Sequence, residues 1–294
     1  SFTFSVQDSA GSFDSAVNTV TMNVTPQPDT AVIGGDAAGA VVEDGTLADS
    51  GVLTVTDPDA GQAAFNPQTG SAGTYGSFGI NAAGTWTYNL ANASPLVQAL
   101  AVGQQVSDTF AVTTIDGTSR NVVVTITGTN DVPLVANASA ATAENTTLDS
   151  NVPAGSDIDG TVASYALGSG VGVGNGALTF NADGSYRFNP NGNFDTLAAG
   201  QSRDVTFTYT ATDNNGGVSL PATVTITVTG ANDAPTGADA AYTIAEDGSR
   251  TFAGADFGFS DVDVGETLAA VRIDSLPAAG SLTLNGVAVS ASQL

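Results

Sequence analysis

Period-two alternation dominates the chain. Val122, Val124 and Ile126 alternate with Val123, Thr125 and Thr127, and Val224, Ile226 and Val228 alternate with Thr223, Thr225 and Thr227. This pattern predicts strands with one buried and one solvated face. Trp86 with Tyr88, and Tyr186 with Phe188, sit at matching alternate positions, as core or cross-strand packing residues should. Turns rich in Gly, Asp and Asn separate the strands, and their density predicts antiparallel sandwiches of about seven strands per ~100 residues. One helix is expected over 94–101, "SPLVQALA", with Ser94 as cap, Pro95 in the first turn, and Leu96 and Leu100 on one face.

The pattern recurs. Two closing strands end in the same stop, "TGTNDVP" at 127–133 and "TGANDAP" at 229–235. Aligning on that stop brings "VEDGTL" (42–47), "AENTTL" (143–148) and "AEDGSR" (245–250) into register. "DPDAG" (57–61), "DIDGT" (157–161) and "DVDVG" (261–265) follow, then the hairpins "NAAGTWTYN" (81–89) and "NADGSYRFN" (181–189). A closing pair also opens the chain at 2–26. The expected organisation is therefore the last strands of one repeat (1–27), two whole repeats (28–131 and 132–233), and the first part of another (234–294).

Charge then narrows the chemistry. The 294 residues carry 29 carboxylates against five basic groups, all arginine, for a net charge of −24. Nucleic acid and anionic membrane are poor partners for such a surface, and cations are good ones. There is no Cys, His or Lys, which excludes disulfides, the usual zinc ligands and most nucleophile–base pairs. An enzyme would be left with a carboxylate pair or a metal-bound water, and acids spread evenly over repeats argue against one catalytic centre. A chain so acidic could be disordered, but 41% of it is hydrophobic and rich in strand formers.

Where the acids fall is informative. With strands alternating up and down, Glu43 lies at the pole where its repeat's last strand exits. Asp157, Asp159 and Asp213 lie at the opposite pole of the next repeat, and Asn130 and Asp131 lie in the linker. Head-to-tail stacking would gather these six. The next set is Glu144, Asn232, Asp233, Asp261 and Asp263. A third is Asp57, Asp59 and Asp116, facing a linker that lacks Asn-Asp and offers only Asp29. Carboxylates packed that closely repel by several kcal/mol even at an effective dielectric near 20, so a cation is expected among them. Calcium fits best, since it takes 6–8 oxygen ligands in tolerant geometry. Turn chemistry alone accounts for Asp183 and Asp195. It does not account for glutamate: three of only four glutamates, Glu43, Glu144 and Glu246, occupy the same repeat position.

The order Glu-Asp/Asn, Asp-x-Asp, Thr/Ala-x-Asp before the last hairpin, and Asn-Asp-x-Pro at the exit resembles cadherin-type repeats. Residues 73–90, 94–104 and 108–118 are similar to the bacterial VCBS repeat, and the later repeats to bacterial cadherin-like or Ig-like ones. The resemblance implies an all-β rod of tandem sandwiches, rigidified by Ca2+ at its junctions. It would be the extender region of a giant secreted adhesin of the RTX type, on a Gram-negative surface or in a biofilm matrix. Its partners would be calcium and neighbouring repeats, with no direct membrane insertion. The glycine-rich nonapeptide of RTX calcium rolls is absent; "GSGVGVGNG" (168–176) only alternates glycine. The alternative is an adhesive module gripping glycans or sister molecules, or a fibre in which residues 1–27 of one chain complete residues 234–294 of the next.

Overall fold

The computed structural model describes residues 1–292, which divide into two compact units, residues 1–129 and 130–292. The final two residues of the expected last segment lie outside the described residues.

The first unit opens with a hairpin of β1 (Phe2–Phe4) and β2 (Asn18–Val20), followed by a sandwich. Its strands are β3 (Val32–Gly35), β4 (Ala38–Val42), β5 (Ala48–Thr56), β6 (Gln68–Ala72), β7 (Gly76–Ile80), β8 (Thr85–Leu90), β9 (Gln105–Thr113) and β10 (Ser119–Thr127). One sheet runs β3-β5-β8-β7-β6 and the other β4-β10-β9. Between β8 and β9 sits α1 (Pro95–Gln98), with Ser94 Oγ accepting from the Leu96 N–H at 3.3 Å. It is shorter than the 94–101 pattern predicts, because the chain turns at Ala99 to bring Gly103 N–H onto the Gly128 carbonyl.

The second unit repeats the plan with β11 (Ala138–Ala143), β12 (Leu148–Asn151), β13 (Val162–Leu167), β14 (Ala177–Phe180), β15 (Ser185–Asn189), β16 (Ser202–Asp213) and β17 (Ala222–Thr229). Its sheets run β11-β17-β16-β13 and β12-β15-β14. Beyond residue 233 regular structure is sparse. A 3-10 turn spans Gly254–Phe257, and a small hairpin joins β18 (Thr283–Leu284) to β19 (Val287–Ala288).

The predicted alternation is realised. Val122, Val124, Ile126, Val224, Ile226 and Val228 are fully buried, as are Trp86, Tyr88 and Phe188. Each large side chain so removed from water is worth roughly 1.5–3 kcal/mol. Ring packing fixes the two cores: Phe78 stacks on Phe110 at 4.7 Å, and Tyr186 meets Phe207 edge-on at 5.0 Å. One strand pair in each sandwich departs from the antiparallel expectation. β4 pairs parallel with β10, and β11 with β17. With an odd number of alternating strands, the first and last point the same way, so when they become neighbours they must pair in parallel. That pairing sets Glu43 beside the end of β10, its N–H donating to the Thr127 carbonyl at 3.0 Å. Glu144 makes the same bond to Thr229 at 3.0 Å.

Candidate cation-binding poles

At one pole of the first unit, the Asp59 N–H donates to Asp57 Oδ1 at 2.8 Å, and the Asp29 N–H to Asp59 Oδ2 at 2.8 Å. Asp57 Oδ2 is buried and accepts nothing. Asp116 is more fully occupied: the Ala31 N–H and the Thr114 and Thr118 side chains all donate to it, holding its carboxyl below the usual carboxylate range. It clamps the linker to the last hairpin.

Glu43 occupies the other pole of this unit and is wholly buried. Thr129 N–H donates to its Oε2 at 3.0 Å, and Gln98 Nε2 to its Oε1 at 3.0 Å.

The second unit begins with an acid-rich pole. Asn130 Nδ2 donates to Asp213 Oδ2 at 2.9 Å, and the Asp131 N–H to Asp159 Oδ1 at 3.3 Å. Asn130, together with the N–H groups of Asn215 and Gly217, holds Asp213 below the usual carboxylate range. Burial and the neighbouring Asp157 carboxyl push Asp159 up. Both oxygens of Asp157, Oδ2 of Asp159 and Oδ1 of Asn130 are buried and accept no hydrogen bond. Gly217 makes this packing possible: a Cβ there would lie 2.4 Å from Asp213 Oδ2.

The far pole of the second unit is built alike. Ala231 N–H donates to Glu144 Oε1 at 2.7 Å, Asp233 N–H to Asp263 Oδ2 at 2.9 Å, and Asp263 N–H to Asp261 Oδ1 at 3.0 Å. Asn232 turns its amide to the Asp233 carbonyl and is exposed. Burial raises the Asp233 carboxyl, with the charges of Asp263, Asp195 and Asp261 adding to it.

Turn chemistry does not account for Asp195. It lies close enough to Asp233 to perturb it, and its Oδ1 is buried without a hydrogen bond. The signal was present: Asp195 follows buried Phe194 as Gln98 follows buried Val97, and both turns end in a glycine bonded to the repeat's closing glycine. Glu246, the third repeat-position glutamate, is exposed, unlike Glu43 and Glu144.

Chemically, these poles gather hard, acceptor-only oxygens with no cationic side chain hydrogen-bonded to them, a donor set that suits calcium. Among the described residues, no three acidic side chains yet stand around a common point at metal-ligand distances. The fit lies in donor type and burial rather than in a finished cage.

The bacterial cadherin-like domain matches residues 28–128 and again residues 130–230. The chain belongs to that family. Both stretches match the same domain, including the one resembling a VCBS repeat. Among solved structures, protocadherin gamma B2 extracellular cadherin domains 3-6 align at 15% identity and a TM-score of 0.44, over 80% of this chain and 57% of that one. The protocadherin gammaB7 EC3-6 cis-dimer structure aligns at 15% and 0.45, over 84% and 65%. Mouse clustered PcdhgC3 EC1-3 aligns at 14% and 0.39, over 67% and 66%. The chain thus spans less than two thirds of each of these. No curated protein matches it. The bacterial cadherin-like domain is an adhesion fold, which agrees with the tandem sandwiches seen here. No helix among the described residues is long and apolar enough to cross a membrane.

Proposed function

We propose that this chain is an extender segment of a bacterial surface adhesin or matrix protein, rigidified by calcium where one repeat hands over to the next. The reading divides it into closing strands (1–27), two repeats (28–131 and 132–233) and an opening segment (234–294). Calcium would be held by the acids and amides of the three poles. It would act by bridging linker oxygens to the Asp-x-Asp turn and the glutamate, removing the bending freedom of a short linker. Carrying this reading is the set of buried carboxylate oxygens on Asp157, Asp159, Glu144, Asp233 and Asp263 that accept no hydrogen bond. Bare anionic oxygens in low dielectric are costly unless neutralised. The resemblance to adhesin repeats supports an extracellular place, on a Gram-negative surface or in a biofilm matrix.

Small-angle scattering of the 294-residue chain in calcium and in chelator tests this, with Asp157→Ala/Asp159→Ala beside it. A long particle that becomes shorter and more disperse on chelation, and is already so in the variant, is expected. Identical profiles in all conditions would sink the reading. A glycan platform on Trp86, Tyr88 or Tyr186 has no support, since all three are buried.

A further inference from the structure

Equivalent turns carry opposite chemistry in the two repeats, Gln98 on Glu43 in the first and Asp195 near Asp233 in the second. In the first repeat Gln98 brings an amide N–H to Glu43 Oε1, and Thr129 N–H takes Oε2, so both oxygens of that carboxylate are already bonded. In the second repeat the equivalent residue is Asp195, which brings a charge and no donor. Glu144 Oε2 there accepts no hydrogen bond although the residue is only 1% exposed. Asp263, 3% exposed, has Oδ1 in the same state, as do Asp195 Oδ1 and Asp233 Oδ2. Two nearly fully buried carboxylates thus present unpartnered oxygens at one end of the second sandwich, and Asp233 links them, following Ala231 in sequence and bonding Asp263 directly.

From this we infer that the ends of the two repeats differ in their demand for a divalent cation. Asp195 makes the Glu144 end the tighter site, and Gln98 makes the Glu43 end the weaker one. The inference rests on the calcium reading above and adds an order to it. Exchanging an amide for a carboxylate replaces a donor with an acceptor and adds one negative charge, and calcium affinity follows ligand charge. The Gln98 amide also does at Glu43 part of what a cation would do, satisfying an oxygen that is bare in Glu144. As calcium rises, the Glu144 end fills first and the Glu43 end later.

Calorimetric titration of the whole chain with calcium chloride, after chelator removal, tests this with Asp195→Asn and Gln98→Glu. The wild type should show at least two classes of site. Asp195→Asn should weaken the tightest class by about tenfold or more, and Gln98→Glu should strengthen a weaker class by a similar factor, leaving the tightest unchanged. Asp195→Asn titrating as wild type, or Gln98→Glu leaving the weaker class unchanged, overturns the inference while calcium binding stands. No saturable binding in the wild type removes the calcium reading itself. The two variants lie in different units, so misfolding of one, seen by circular dichroism, leaves the other decisive.

Discussion

The backbone N–H of Asp233 donates to the Asp263 carboxylate over 2.9 Å, and this bond is made three times in the chain. Asp131 reaches Asp159 at 3.3 Å and Asp29 reaches Asp59 at 2.8 Å. The second acid of each Asp-x-Asp turn therefore fixes the linker before any cation is involved. This holds even where the linker, "TPQPDT", lacks the Asn-Asp of the other two.

Relief of repulsion should be visible at Asp157. In chelator, Asp157→Asn is expected to stabilise the second unit by about 1 kcal/mol, because it removes a like charge facing Asp159. In calcium the same change should destabilise. Thermal melts in both conditions check this, and a variant melting lower in both would assign Asp157 a purely structural part.

Acidification should act in two directions. Asp159 and Asp233 have raised folded-state values, so the stability they contribute is present below about pH 4 and is lost as pH rises through those values. Asp183 and Asp213 are lowered, so theirs is complete above about pH 4 and is lost as pH falls through the lowered values. In chelator, stability of the second unit should rise on mild acidification from pH 7 and then fall in stronger acid. Urea midpoints across pH measure it; a monotonic fall would contradict the assignment.

Asp108 is a buried carboxylate with no ion-pair partner among the described residues. It accepts from the N–H groups of Thr74, Tyr75 and Gly76 at 2.8, 3.0 and 3.1 Å, and from Tyr88 Oη at 2.8 Å. Asp108→Ala leaves these donors bare and should cost about 3 kcal/mol, with Tyr88→Phe costing nearer 1 kcal/mol. Urea unfolding followed by Trp86, the chain's single tryptophan, reads the first unit alone. A loss under 1 kcal/mol for Asp108→Ala would refute this.

Gly230 precedes the Asn-Asp linker, and a Cβ there would meet the Leu197 and Ala198 carbonyls at 2.2 and 2.6 Å. Gly230→Ala should therefore shift the turn carrying Asp195 and cost about 2 kcal/mol. Gly170→Ala, with open space around it, should be neutral. Equal melting of the two variants would show that the close approach is unimportant.

Much of this was legible in the sequence. Alternation located β9, β10, β16 and β17 and put Val122 and Val224 inside, because a period of two admits only one buried face. Repeat alignment found Glu43 and Glu144, since so rare a residue recurring in register is hard to attribute to turns. Asp195 escaped because its turn reads as ordinary Asn-Gly-Asn chemistry, and only its five-residue spacing to Gly200, the same as from Gln98 to Gly103, ties it to Gln98. The parallel pairs escaped because pairing partners of the first strand are set by sheet closure, which local pattern does not encode. The irregular path after residue 233 was not visible either, since the motifs "AEDGSR" and "DVDVG" persist there although the described residues form only a 3-10 turn and one short hairpin.

Parallel pairing of entry and exit strands has a mechanical consequence. Tension applied along a repeat pulls β4 and β10, or β11 and β17, in opposite directions along their shared ladder. Their five and six paired positions then carry the load together in shear, rather than parting one at a time as in an unzipped hairpin. Resistance to force is governed by the unfolding rate rather than by equilibrium stability. Each sandwich is thus closed by a patch that loads in shear when its two ends are pulled apart.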